Sequence, residues 1–290
     1  MLSIGEINPS AVISIRSFLA LKPVNKVCLG VNKLSTTLLS TSLTIEEYGQ
    51  LCLHDLSRDF RTHAKLELDN FSKYQKYHSR DFAKITLGKW LLIKHVFMEH
   101  SSNYILFSDL DVFWKKQENL RIRIASGVQV LTQDGWYPSK GDWFCTGIMF
   151  WERTEQTQNI LDALMETQIA SFQKGKSNND EIIFNNLFRN TNRIHQTSTL
   201  PRYEFLVGYH VLNLRFINTK KLLNRCLAFH ANSVEGENLK LQLLRTATSS
   251  EGSLATYLPQ HLKLLYKIAI KKLFRFKIAK FTVKVKELQN

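Results

Sequence analysis

The sequence predicts a mixed α/β fold, a single central sheet flanked by helices, and three observations predict it. Apolar runs of strand length recur at residues 26–31, 104–107, 128–132 and 143–151. Helical periodicity alternates with them, most clearly over residues 81–99, where Ile85, Leu92 and Val96 recur on one face beside Trp90, Ile93 and Phe97. The 290 residues, 44% of them hydrophobic, suffice for a full core in one large domain.

Taken in order, residues 1–23 form an N-terminal extension in which Asn8-Pro9-Ser10 opens a short helix over 11–21 and Pro23 ends it. Residues 26–31 are the first strand, a polar Ser/Thr-rich segment follows, and 50–54 are the second strand. Residues 56–78 read as loop with a broken helix. Helix 81–99 leads through Ser101-Ser102-Asn103 into the strand at 104, a helix-to-strand unit. The strand at 128–132 ends in a turn signal, Gln133-Asp134-Gly135-Trp136. Cys145-Thr146-Gly147 interrupts the run at 143–151. A helix over 154–172 has Thr154 as its cap, and Asn178-Asn179-Asp180-Glu181 opens the next, 182–188. Residues 201–219 alternate as strands with turns, and 226–229 end in His230-Ala231-Asn232. With no repeat and no low-complexity linker, residues 24–245 read as one domain and 246–290 as a tail.

Lys and Arg total 39 against 25 Asp and Glu, a net charge of +14. Such an excess implies an anionic partner: nucleic acid, a phospholipid surface or a phosphorylated substrate. Cys28, Cys52, Cys145 and Cys226 are scattered and form no CxxC pair, which excludes a zinc ribbon and suits a reducing compartment. No stretch is long enough to span a bilayer. The run at 11–21 carries Arg16 and lacks a basic start, so the chain is read as unprocessed, cytoplasmic, and soluble or peripheral at a membrane.

The chemistry centres on Tyr104-Ile-Leu-Phe-Ser-Asp-Leu-Asp-Val-Phe-Trp114. The apolar run reads as a buried parallel strand, and ligands in open α/β sheets bind beyond the carboxyl ends of the strands. Asp109 and Asp111 stand at that edge. Two neighbouring carboxylates repel unless a cation joins them, and hard divalent ions take carboxylate oxygens together with substrate phosphates. The pair is therefore a candidate metal–diphosphate site. The triplet alone also fits a strand-end turn with solvated Asp residues; the preceding strand and the later chain favour the metal.

That later chain supplies an ordered series over residues 66–245. It runs from the helix Phe82…Lys89 through the Asp109/Asp111 strand and the strand ending near Asp134. Then come Cys145-Thr-Gly-Ile-Met-Phe-Trp-Glu-Arg-Thr154, Asn179-Asp-Glu-Ile-Ile-Phe-Asn185, and Phe229-His-Ala-Asn-Ser-Val-Glu-Gly236. Together these resemble the Asp-x-Asp nucleotide-diphospho-sugar transferases, GT-A-fold (Rossmann-like) glycosyltransferases that include plant cell-wall xylosyl- and galactosyltransferases. The resemblance implies metal-dependent transfer from a nucleotide-diphosphate sugar, UDP being the commonest carrier, to a glycan or lipid-linked acceptor. It implies Mn2+ (or Mg2+) on Asp109, Asp111 and His230, donor contacts from Asp109, Lys89, Asp134, Thr146 and Gly147, and a catalytic pair Asp180 and Glu181.

Several of these residues keep two readings. Gly147 admits a close backbone approach or marks a strand bulge. Asp134 accepts sugar hydroxyls or forms an Asp-Gly turn. Lys89 and Arg153 offset phosphate charge or are solvated cations. Asp180 and Glu181 act on an oxocarbenium-like centre, in a retaining reaction with Glu181 as stabiliser or nucleophile, or they are an acidic first helical turn. Two positions depart from the family: Cys145 replaces an Asn, and Glu181 replaces a Gln.

Two rival classes are weaker. A haloacid-dehalogenase-like phosphatase shares Asp-x-Asp after a strand, but Phe113 stands where Thr or Val is usual, and no ordered Lys and acidic cluster follows. A nonenzymatic basic nucleic-acid-binding protein would explain the charge, yet no such motif appears and no nucleic acid partner is expected. Much of the charge lies in the tail instead, where residues 258–286 contain no acid. Lys263, Lys267, Lys271 and Arg275 share one helical face, and Leu262, Leu265, Ala269, Leu273 and Phe276 the other, a pattern expected of a basic amphipathic helix at an anionic membrane surface.

Overall fold

A computed structural model describes residues 1–3, 9–21, 27–65, 80–115, 127–135, 143–176, 178–189, 191, 193–201, 204–207 and 226–231. All of them lie within a compact unit of residues 1–248. The expected strands at 208–219 and the amphipathic tail at 246–290 lie outside the described residues.

β1 (Leu2–Ser3), β2 (Val27–Val31) and β3 (Leu51–Asp55) form a parallel sheet in the order β1-β2-β3, with Cys28 opposite Cys52. α1 (Pro9–Leu19) opens on its proline, which has no N–H to waste in the first turn. It buries Ile15, Phe18 and Leu19. The Ser/Thr-rich segment after β2 folds as α2 (Lys33–Ser42) and α3 (Ile45–Gly49). Burial of Leu39 and Leu43 in one cluster with Leu29 overrides its modest helix propensity. Thr44 and Glu47 close a reciprocal capping box at the start of α3. The broken helix is α4 (Ser57–Asp59), which widens into a π-helical turn, Phe60–Ala64.

α5 (Arg80–Glu99) brings Leu87, Trp90, Leu91 and Ile93 into the second core cluster. It leads into β4 (Tyr104–Ser108), and a short turn separates β4 from β5 (Val112–Trp114). β6 (Val130–Asp134) and β7 (Phe144–Glu152) follow, then α6 (Glu155–Gln173) and α7 (Asp180–Arg189). Thr154 caps α6, its hydroxyl accepting from the Thr157 N–H at 3.1 Å. Trp90 packs on Trp151 and Phe184, and its indole N–H donates to Gln168 Oε1 at 2.7 Å. The last strands are β8 (Thr197–Thr199), β9 (Phe205–Val207) and β10 (Ala228–His230).

Two further sheets are mixed, as expected, although the strands divide among three hydrogen-bonded sheets rather than one. One runs β4-β7-β6-β8, with β7 antiparallel to both neighbours and β6 parallel to β8. The other is β5-β10-β9, with β10 antiparallel to β5 and parallel to β9. The reading of residues 104–107 as a parallel strand is corrected here, because β4 pairs antiparallel with β7. A continuous apolar run reports burial on both faces and carries no information on direction. Among the described residues no helix is long and apolar enough to cross a membrane.

Candidate active site

β4 ends at Ser108, which is fully buried; its hydroxyl accepts the Trp114 indole N–H at 3.0 Å. The chain then turns through Asp109-Leu110-Asp111. The Asp109 N–H donates to Gly147 O at 2.8 Å, and the Val112 N–H to Asp109 O at 3.3 Å. β10 lies on β5 with His230 opposite Val112, and the Ala231 N–H donates to Asp111 O at 2.8 Å. This register carries a residue from far along the chain to the Asp turn. His230 Nε2 stands 3.0 Å from Asp111 Oδ1 and 3.9 Å from Asp109 Oδ2.

One ligand atom from each of Asp109, Asp111 and His230 lies within 4.8 Å of the others. The carboxylates are partly exposed while His230 is buried, so the triad opens on its carboxylate side. Two carboxylates and one imidazole form a donor set that fits a divalent cation.

Behind the triad is Lys89, on α5 and buried. Its ammonium lies 3.2 Å from Asp109 Oδ1 and donates to the Thr146 carbonyl at 3.0 Å and hydroxyl at 3.2 Å. It also forms a short ion pair with Asp180. The Thr146 hydroxyl donates to Asp180 Oδ2 at 2.6 Å. Burial alone would lower the Lys89 pKa, but Asp109 and Asp180 outweigh it and hold it above its ordinary value. Burial pushes Asp109 up to about 6, against Lys89 and His230, with Asp180 and Asp111 adding to the rise.

A family model for nucleotide-diphospho-sugar transferases matches residues 50–244, most of the chain. The chain belongs to this family. The transferase is similar in fold to a galactosyltransferase, LgtC, solved with donor and acceptor sugar analogues. Identity is 10%, the match covers 89% of this chain and 99% of that one, and the TM-score is 0.51. It is also similar to the glycosyltransferase GlyE of Streptococcus pneumoniae TIGR4, with 13% identity, 86% and 60% coverage and a TM-score of 0.50. No curated protein matches the chain by sequence. Family membership makes the protein a glycosyltransferase and displaces both the phosphatase and the nucleic-acid reading.

The structure gives the transferase's other candidate residues definite neighbours. Thr146 is buried between Lys89 and Asp180. The register of β6 against β7 breaks between Thr132 and Gln133, so Thr146, Gly147 and Ile148 bulge out of that pairing. A Cβ on Gly147 would meet His230 Cε1 at 2.0 Å and Nδ1 at 2.1 Å. The residue makes room for the imidazole. Cys145, at the family's Asn position, is buried with its thiol 3.5 Å from His230 Nδ1, and burial holds it well above the usual thiol range.

Asp180 begins α7, its backbone N–H donating to Thr86 Oγ1 at 3.1 Å. Asn185 ties α7 to β7 through both backbone groups of Phe144 and also donates to Glu181 O at 2.8 Å. Burial pushes Glu181 up to about 7, with Asp180 adding, against a hydrogen bond to Trp143 and the charges of His230 and Lys89.

Lys89 is therefore not a solvated cation. Arg153 is not at the site: its guanidinium donates to His100 O and lies over Phe97, at the entry to β4. Because β7 runs antiparallel to β4, the end of β7 lies at the opposite edge from Asp109. Asp134 ends β6, beside a Gly135 N–H that donates to Trp143 O at 2.7 Å. Its neighbour Gln133, which sequence reasoning passed over as part of a turn, is the residue that reaches His230, with Oε1 3.0 Å from Nδ1. Nothing local marks Gln133; only the approach of β10 does.

Proposed function

We propose that the transferase uses Mn2+ or Mg2+ to move a sugar from a UDP-sugar to a glycan or lipid-linked acceptor with retention of configuration. The observation that carries the reading is the convergence of Asp109 and Asp111 from the β4–β5 turn and His230 from β10 onto one small volume. A divalent ion bound there supplies a Lewis acid that offsets the charge growing on the leaving diphosphate. Asp109 and Asp111 supply carboxylate oxygens and His230 supplies Nε2. Lys89 holds Asp109 and Asp180 together across the floor of the site.

Asp180, which accepts from Lys89 and Thr146, presents its carboxylate to the transferred sugar. Glu181 ionises close to neutral pH and can stabilise, or attack, the positive anomeric carbon. None of the four cysteines is in a disulfide, which fits a reducing compartment such as the cytoplasm. The basic tail supplies attachment to an anionic leaflet that carries the acceptor.

The test is a hydrolysis and transfer screen of UDP- and GDP-sugars with Mn2+, with Mg2+ and with chelator. Turnover is expected with UDP-sugars and metal, and Asp111→Ala is expected to abolish it while the melting curve is unchanged. Wild-type turnover by Asp111→Ala, or by the native protein in chelator, overturns the metal reading.

A further inference from the structure

We propose that Gln133 is a positioning residue that fixes which nitrogen of His230 faces the metal. The inference rests on the metal reading above and adds a residue to it. Gln133 is fully buried at the register break of β6. Its Nε2 donates to the Leu206 carbonyl on β9 at 3.4 Å. That contact orients the amide, since a flipped amide would set its oxygen against the carbonyl oxygen of Leu206.

Oε1 therefore faces His230 Nδ1 at 3.0 Å, and the Cys145 thiol donates to the same oxygen at 3.8 Å. A carbonyl oxygen can only accept, so the Gln133 contact is a hydrogen bond only in the tautomer that carries its proton on Nδ1, which is the tautomer the proposal assigns. In the neutral ring the lone pair then belongs to Nε2, which stands 3.0 Å from Asp111 Oδ1. A histidine that gives its second N–H to a fixed acceptor has its ring angle and tautomer set before the ion arrives. Gly147 leaves the space for the ring, and Gln133 sets the direction in which it points.

The experiment combines 15N NMR of the His230 ring with Mn2+ titration followed by electron paramagnetic resonance. In the wild-type protein Nδ1 is expected to be protonated with and without Mg2+. Gln133→Leu, which keeps the bulk but offers no acceptor, is expected to lose that state and weaken Mn2+ binding about 10–100-fold. Gln133→Glu keeps an oxygen facing Nδ1 and is expected to bind Mn2+ within about threefold of wild type, a rescue that a purely packing role would not produce. A bare Nδ1 in the wild type, or wild-type Mn2+ affinity in folded Gln133→Leu, overturns the proposal. If Gln133→Leu does not fold, the wild-type ring spectrum and Gln133→Glu still decide. If the wild type binds no Mn2+ yet shows the protonated Nδ1, the metal reading fails while the orientation by Gln133 stands.

Discussion

Gly147→Ala puts a methyl group where the imidazole of His230 now lies. The added Cβ would be 2.0 Å from Cε1, 2.1 Å from Nδ1 and 2.8 Å from Nε2. Carbon contacts are comfortable near 3.5 Å, so the ring must retreat by ~1.5 Å. It has little freedom to do so, being 4% exposed and held by Gln133 on one side and Asp111 on the other. The positive-φ glycines among the described residues are Gly127 and Gly175, so backbone strain at Gly147 plays no part and the effect is steric. Overpacking of this kind costs about 1–3 kcal/mol. Displacing one of three ligands by more than an ångström is expected to weaken Mn2+ at least about tenfold, or ~1.4 kcal/mol. Urea melts give the first quantity and Mn2+ titration with paramagnetic resonance the second. An unchanged urea midpoint together with unchanged Mn2+ affinity would refute the reasoning, because both follow from the same displaced ring.

Three further perturbations test the rest. Lys89→Met leaves Asp109 and Asp180 facing one another without their cation; a loss of about 3 kcal/mol is expected in a denaturant melt at neutral pH, toward the low end for a broken buried pair because Asp109 is partly exposed. The Glu181 carboxyl is raised from 4.5 to about 7 in the folded protein. Its protonated form favours folding, so its contribution is full below about 4.5 and is lost as pH rises through 7. Glu181→Gln is therefore expected to match wild type in melts near pH 4 and exceed it near pH 8. It should also remove a rise in donor turnover with an apparent pKa near 7; a wild-type pH–rate profile in the variant counts against an ionised Glu181. Deleting residues 258–290 is expected to abolish salt-sensitive sedimentation with anionic liposomes while donor hydrolysis persists, and undiminished liposome binding would dismiss the tail as an anchor.

Much of the frame was legible in the chain. The apolar run before Asp109 marks β4, the 3.6-residue periodicity marks α5, and Thr154 marks the start of α6, because each depends on backbone preference and near neighbours. The Asp109–Asp111 pair was legible for the same reason: a strand that stops at two carboxylates puts both at one edge. Periodicity could not give direction, so β4 read as parallel although β7 makes it antiparallel. Nor could it give burial to a single cation. Lys89 on a helix is ordinarily solvated, and only the arrival of Asp180 and the Thr146 carbonyl allows its charge inside.

The sequence by itself determined the local elements and the chemical types available at their ends. The tertiary structure alone decided that β10 pairs with β5 in the register that sets His230 beside Asp111, that Gly147 stands under that ring, and that Gln133 faces its other nitrogen. The physical reason is range. Capping and periodicity act over a few residues and are written in the adjacent letters, whereas the pairing of β10 with β5 depends on burying surfaces contributed by the whole domain.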